Sequence, residues 1–295
     1  MAAPPNQVFF PSGFQELFST WSRFSDAVVC AGGTGFIHTQ ESRVPVLKSN
    51  IISLDKMDEL RKISRTERYL EIGALVKLNQ IINLGKIVPE ALTRCLLRIA
   101  DPQVRSQASI GGNICFSSHK LDASAPMIAL DAQYELRTAQ AARWISAARF
   151  SSMPGPYALA DQELLTRIRV PLEPWSFTWY RKFNAVGNSA ANGIEVNGGG
   201  SEDRGVILFI MRNQKDILTN IRIVYSGKTI LREKNSETMF LGKRLPISRK
   251  DAEAFLDRWR NYLSSMEGAE NDSHVELTKS RIINFIKTVL RHISD

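Results

Sequence analysis

The stretch "DAVVCAGGTGF" constrains the beginning of this chain more than any other segment. Ala27–Cys30 is a continuous apolar run that ends at glycines, the pattern of a buried strand running into a tight turn. A second glycine pair, Gly111–Gly112, stands in "ASIGGNI". Neither is the dinucleotide fingerprint GxGxxG, because the position three after Gly35 is His38 and the position three after Gly112 is Cys115. A Rossmann cofactor site is therefore not indicated. Paired glycines do free the backbone from Cβ, so that consecutive N–H groups can converge on one anionic oxygen, and two such pairs could hold a pyrophosphate between them. Thr34, Ser109 and Asn113 would add side-chain donors, and Asp122, a pure acceptor, would suit ribose hydroxyls. Taken singly, each pair favours the plainer reading of a tight turn leaving a strand.

Around these stretches, helical and strand periods alternate. Ser12 with Gln15 three residues on reads as a capping box, and Phe14, Leu17, Phe18 and Trp21 follow at the spacing of one helix face. Ile51–Leu54 and Tyr69–Ile72 are short strand candidates. From Pro89, placed as at a helix first turn, Leu92, Cys95, Leu96 and Ile99 mark a further helix. "LADQELLTRIRVPLEP" reads as an apolar strand that ends in two prolines, and a domain boundary is expected there. Beyond it, "VILFIM" and "NIRIVYSG" read as strands separated by the polar loop "RNQKD". "VNGGGSEDRG" reads as a hairpin connection, because no GK[ST] follows its glycines and Glu202 and Asp203 would repel phosphate. Ile282, Phe285, Ile286, Val289, Leu290 and Ile293 share one face of a closing amphipathic helix, the usual mark of a core-facing element.

Composition narrows the function classes. At 295 residues, one large or two modest domains are expected, and 43% hydrophobic with 23% charged residues allows a sizeable core and argues against wholesale disorder. The net charge of +8 raises nucleic acid as a partner, but the 38 Lys and Arg residues are scattered without a basic run, so a solvated basic surface is the better reading. The start "MAAPPNQVFF" has no basic n-region, and no apolar stretch reaches the ~18 residues of a membrane span, so a cytoplasmic protein is expected. Cys30, Cys95 and Cys115 form no CxxC and read as free structural thiols. His38, His119, His274 and His292 show no metal-binding spacing, so no protein-held metal is expected.

Taken together, the order and flanks of these motifs resemble the FAD-binding subunit of the xanthine dehydrogenase and carbon monoxide dehydrogenase family of molybdenum hydroxylases. The resemblance rests on "AGGTG", "LEIGALVKL", "ASIGGNI", Asp122, Pro126 and "LDA" at Leu130–Ala132, then on "DQELLTRIRVP", "WYRKF" and "IRIVYSGKTILREKNSETMFLGK". It runs almost end to end. It implies an α+β fold with a two-part FAD-binding domain at 1–172, made of a small βαβ-type unit and a mainly antiparallel sheet unit. A C-terminal domain of antiparallel sheet and helices is implied at 173–295. The cofactor implied is FAD. Val29, Cys30, Ala31, Gly32, Gly33, Thr34, Gly35 and Phe36 match the loop that wraps the pyrophosphate, and Ser109, Ile110, Gly111, Gly112 and Asn113 match a second phosphate loop. Asp122 matches an acid on the cofactor's ribitol or ribose side, and Leu165 and Lys182 match positions beside the isoalloxazine ring. The chain itself would carry no catalytic residue for the hydroxylation.

The implied activity is that of a redox subunit taking electrons from the iron–sulfur clusters of a partner subunit, next to a molybdenum-cofactor subunit, and passing them to an acceptor such as NAD. Two other readings stand beside it, a non-flavin structural subunit of such a complex and a stand-alone flavin reductase. The chain departs from the family pattern at three places. Gly35 stands where an acidic residue is usual, "SSHKLD" replaces a small-residue run and brings in His119 and Lys120, and Val186 stands where an arginine often follows.

Overall fold

The computed structural model describes residues 6–38, 50–116, 122–152, 159–183, 205–227, 229–265 and 273–294. The stretch "VNGGGSEDRG" up to its last residue, Gly205, together with His119, Lys120 and Val186, lies outside them. The architecture is α+β and divides into two compact units. One unit draws on residues 6–88, 96–116 and 130–172, and the other on residues 89–95, 122–129 and 173–294.

The first unit opens with β1 (Val8–Phe9), α1 (Phe14–Arg23), β2 (Val28–Cys30), α2 (Thr34–His38) and β3 (Ile51–Ser53). These make a small parallel sheet in the order β1-β3-β2, the βαβ-type half implied by the sequence. Its core joins Leu17 and Phe18 of α1 to Ile52 of β3, Met57 and Leu60. Two expectations change here. Helix α1 starts after Gly13, and Ser12 is held by Glu16, which accepts from both its backbone N–H and its hydroxyl, instead of boxing with Gln15. β2 is an edge strand with Val28 exposed, so its apolar run reflects one covered face and not burial on both.

An antiparallel sheet forms the rest of this unit. It contains β4 (Ile63–Arg65), β5 (Tyr69–Gly73), β6 (Gln133–Arg137), β7 (Ala142–Ser146) and β8 (Leu164–Pro171) in the order β4-β5-β8-β6-β7. The strand β8 sits at the centre and alternates buried Ile168 and Val170 with Arg167 and Arg169, whose guanidinium groups pair with Glu71 on β5. The helices that follow β5 in the chain are short: α3 (Leu78–Asn83), α4 (Glu90–Leu96), α5 (Pro102–Gln107), α6 (Ile110–Ile114), α7 (Ser124–Ala129) and α8 (Ala147–Ser152), with α7 and all of α4 but Leu96 belonging to the second unit. Of these, α4 ends at Leu96, so Ile99 falls in the turn that follows.

The second unit is built on β9 (Phe177–Phe183), β10 (Gly205–Gln214), β11 (Ile217–Ser226) and β12 (Ile230–Leu231), an antiparallel sheet in the order β12-β11-β10-β9. Ile207, Phe209 and Met211 of β10 face a core closed by α10 (Arg249–Ser264) and α11 (Ser273–Ile293), with Phe255, Trp259, Phe285 and Ile286 among its members. A single-turn helix, α9 (Lys234–Thr238), precedes them. The alternate residues Val206, Leu208 and Ile210 are buried as well, because α7 packs on β10 and β11. A strand covered on both faces reads as a continuous apolar run, which is why "VILFIM" shows no period of two. The "RNQKD" loop is shorter than its polarity implies: β10 and β11 continue through it to a two-residue turn at Lys215 and Asp216.

Both turn residues have positive φ, 49° and 64°, the signature of a type I′ hairpin. L-residues without the Asn or Gly preference adopt that region at a cost of about 1 kcal/mol each. Replacing the turn by Lys215→Asn with Asp216→Gly is expected to raise unfolding stability by about 1 kcal/mol, measured by urea denaturation. A decrease in stability would overturn the turn assignment.

Candidate functional site

The two glycine stretches lie together in the first unit. After β2 the chain bends through Ala31–Gly33 and enters α2 at Thr34. At Gly32 a Cβ would stand 2.0 Å from the carbonyl oxygen of Gln107, two residues before Ser109, so only glycine permits that approach. The Nζ of Lys77 donates to the same carbonyl at 2.7 Å. At Gly35 a Cβ would stand 2.6 Å from the ring of Phe116. The Phe116 ring thus occupies the space that a side chain at this position would need. Thr34 and Gly35 open α2, so their N–H groups have no intrahelical acceptor.

The second stretch is a helix and not the tight turn its glycines suggest. Ser109 caps α6, its hydroxyl accepting from Gly112 N–H at 3.1 Å and its carbonyl from Asn113 N–H. Ile110 N–H donates to Val76 O and Gly111 N–H to Ala74 O. Four successive donors thus serve protein acceptors, while the Ser109 hydroxyl, accepting from Gly112, keeps its own proton to donate. Asn113 differs: its side chain is buried and its Oδ1 has no partner among the described residues. A buried acceptor without a donor is costly, so the atom is suited to a ligand hydroxyl or amino group. Leu165, on β8 opposite Leu136, is 3% exposed and offers little surface.

Asp122 and Lys182 belong to the second unit, where they form an ion pair of 2.6 Å. Asp122 lies two residues before α7, and Lys182 sits on β9 opposite Val206 of β10. Sequence reasoning gave each residue a separate role and missed the pairing, because 60 residues separate them and no local pattern links the two. Close to the pair lies Cys95 of α4, whose thiol is buried. Burial, with the Asp122 charge adding to it, pushes that thiol well above its ordinary value. Among the described residues no group of three or more His, Cys, Asp or Glu side chains is arranged to hold a metal ion, and no helix is long and apolar enough to cross a membrane.

Residues 4–173 match the model of the FAD binding domain in molybdopterin dehydrogenase. The chain belongs to this family. It is 28% identical to the carbon monoxide dehydrogenase medium chain of Hydrogenophaga pseudoflava over 225 residues, 74% of each chain. It is 29% identical to the xanthine dehydrogenase FAD-binding subunit of Escherichia coli O157:H7 over 154 residues, about half of each. Its fold is that of a chain in a solved structure of carbon monoxide dehydrogenase from Hydrogenophaga pseudoflava, 23% identical, with a TM-score of 0.76 over 98% of this chain and 96% of that one. This is an FAD-binding oxidoreductase subunit of the molybdenum hydroxylase type, with FAD as cofactor. The donors opening α2 and the unpaired Asn113 Oδ1 fit such a group, offering donors for phosphate oxygens and an acceptor for hydroxyl or amino hydrogens.

The thiols near these stretches are protected chemically. Burial pushes Cys115 up to about 12, and it raises Cys30 too, helped by the negative charge of Asp55. Since the thiolate is the reactive form, iodoacetamide at pH 8 is expected to label Cys30, Cys95 and Cys115 in the native chain far more slowly than in the urea-unfolded chain. Rapid native labelling of all three, followed by mass spectrometry, would contradict these assignments.

Proposed function

We propose that this chain is the flavin-bearing medium subunit of a multi-subunit molybdenum hydroxylase. In this reading it takes electrons from the iron–sulfur clusters of one partner subunit, assembles with a molybdenum-cofactor subunit that hydroxylates the substrate, and hands electrons to an acceptor such as NAD. The observation that carries the proposal is the Gly32–Gln107 contact, which holds "AGGTG" and "SIGGN" side by side in one unit of a chain from this family. FAD contributes a ring that accepts single electrons and gives up a pair as hydride.

The roles of the chain's own residues follow from their chemistry. Residues 1–172 would form the FAD-binding domain and residues 173–295 the C-terminal domain. Val29–Phe36 and Ser109–Asn113 would face the pyrophosphate, with Gly33 supplying the left-handed backbone, φ 70°, that turns the first stretch into α2. Asp122 would accept from sugar hydroxyls. Lys182 would stand beside the ring, oriented by its ion pair with Asp122, and Leu165 would bound the ring's apolar side.

Two variants separate these roles. Asp122→Asn removes a charged acceptor and is expected to weaken FAD binding about 10-fold or more, as loss of a charge-assisted hydrogen bond does. Lys182→Ala is expected to lower the flavin reduction potential in the assembled complex, because the reduced flavin anion loses a neighbouring cation. The measurements are FAD titration of the purified chain by visible absorbance and a redox titration of the complex. A colourless chain that takes up no FAD, or a potential unchanged by Lys182→Ala, would overturn the corresponding assignment.

A further inference from the structure

Lys77 stands where the two glycine stretches meet. Its backbone forms an antiparallel bridge with Ser109, the cap of α6. Its Nζ donates to Gln107 O, and a Cβ at Gly32 would stand 3.4 Å from that same nitrogen. The ammonium therefore lies beside the first stretch at Gly32 and bonds the approach to the second at Gln107. The side chain is half-buried. An ammonium carries three protons, and one serves the Gln107 carbonyl. The charges around it are those of Arg61, which opposes its own, and of Asp55, which favours it. Burial and Arg61 together hold its pKa below the ordinary lysine value, so the site maintains this charge at a cost.

Charge balance gives the position its meaning. A dinucleotide pyrophosphate carries two negative charges, yet neither Ala31–Phe36 nor Ser109–Asn113 contains a cationic side chain. In addition, the N–H groups of Ile110, Gly111, Gly112 and Asn113 already serve protein acceptors. A compact cation at the junction answers the charge that these neutral stretches cannot. We propose that Lys77 is a direct cationic contact of the FAD pyrophosphate, reaching it from the end of the "LEIGALVK" segment between the two glycine stretches. The proposal rests on the reading that these stretches face the pyrophosphate.

Lys77→Gln tests it, since glutamine retains an N–H donor for the Gln107 carbonyl and removes the charge. Apo-chain carrying Lys77→Gln, with the native chain and Lys77→Arg alongside, would be titrated with FAD by flavin fluorescence, with ADP as competitor. Lys77→Gln is expected to weaken FAD and ADP alike by about 10- to 100-fold, the range for a lost charged hydrogen bond. Lys77→Arg is expected to restore most of the affinity. Unchanged FAD affinity in Lys77→Gln overturns the proposal, as does weakened FAD binding with ADP competition the same in both proteins. An arginine variant as weak as the glutamine variant also overturns it, because charge would not then be what the position supplies. A native chain that binds no FAD defeats the underlying reading as well, an outcome distinct from native binding that Lys77→Gln leaves untouched. Circular dichroism melts of the three apo-proteins, expected to coincide, separate lost binding from lost folding.

Discussion

The carbonyl oxygen of Gln107 accepts from the Lys77 ammonium and leaves no room for a Cβ at Gly32, and the glycine-rich half of the site is built outward from that meeting point. Around it runs a short ladder. Leu78 N–H donates to Ala108 O, Ile110 N–H to Val76 O and Gly111 N–H to Ala74 O, so the segment after β5 and the start of α6 are laced together residue by residue. These bonds consume donors that a glycine pair alone would leave free. The result is a rigid platform with its remaining valences in few places: the opening of α2, the Asn113 carboxamide and the Lys77 ammonium.

In the second unit, fixing Asp122 falls to α7. This six-residue helix is buried along its whole length, and a helix so short has too few internal bonds to be stable alone. Its last carbonyls are therefore taken by side chains: Arg222 donates to Ala129 O and Arg232 to Ile128 O. Cations at a helix C-terminus satisfy orphan carbonyls and oppose the dipole's negative end. The largely buried Arg232 is in turn gripped by both carboxylate oxygens of Glu237, which also accepts from Ile223 N–H of β11. Removing one member of such a pair leaves the other charged and shielded, at a cost of about 3–5 kcal/mol. The sheet of the C-terminal segment thereby sets the direction of α7 and, two residues before its start, the position of Asp122.

What the sequence made legible follows from how local each feature is. The stripe of α11 and the apolar run of β10 are readable because burial repeats within one element. The motif order identified the family because several separate segments had to agree. Pairwise geometry was not readable. Nothing in "AGGTGF" says that Phe116 fills the space above Gly35, and nothing in "SIGGN" says that Ser109 would close a helical turn on Gly112. Lys77 lay in plain view within "LEIGALVKL", yet its placement depends on a carbonyl 30 residues away. The misread strand β2 has the same origin, since an edge strand and a central one share composition and differ only in their neighbours.

The cysteines bear on how labour is divided in such an enzyme. Iron and other soft metals are ligated by thiolate, so a cysteine kept protonated is a poor ligand. Cys95 is held that way by burial and by the Asp122 carboxylate, and Cys115 by burial. The burial that disfavours thiolate at Cys95 lies beside an Asp122–Lys182 pair that is only partly exposed, so the pair's Coulomb attraction is less screened than in bulk water. A thiol placed there fills volume without adding charge. An ionised group in its place would compete with Asp122 for the ammonium of Lys182, so the inertness of Cys95 is itself a condition for the pair to hold.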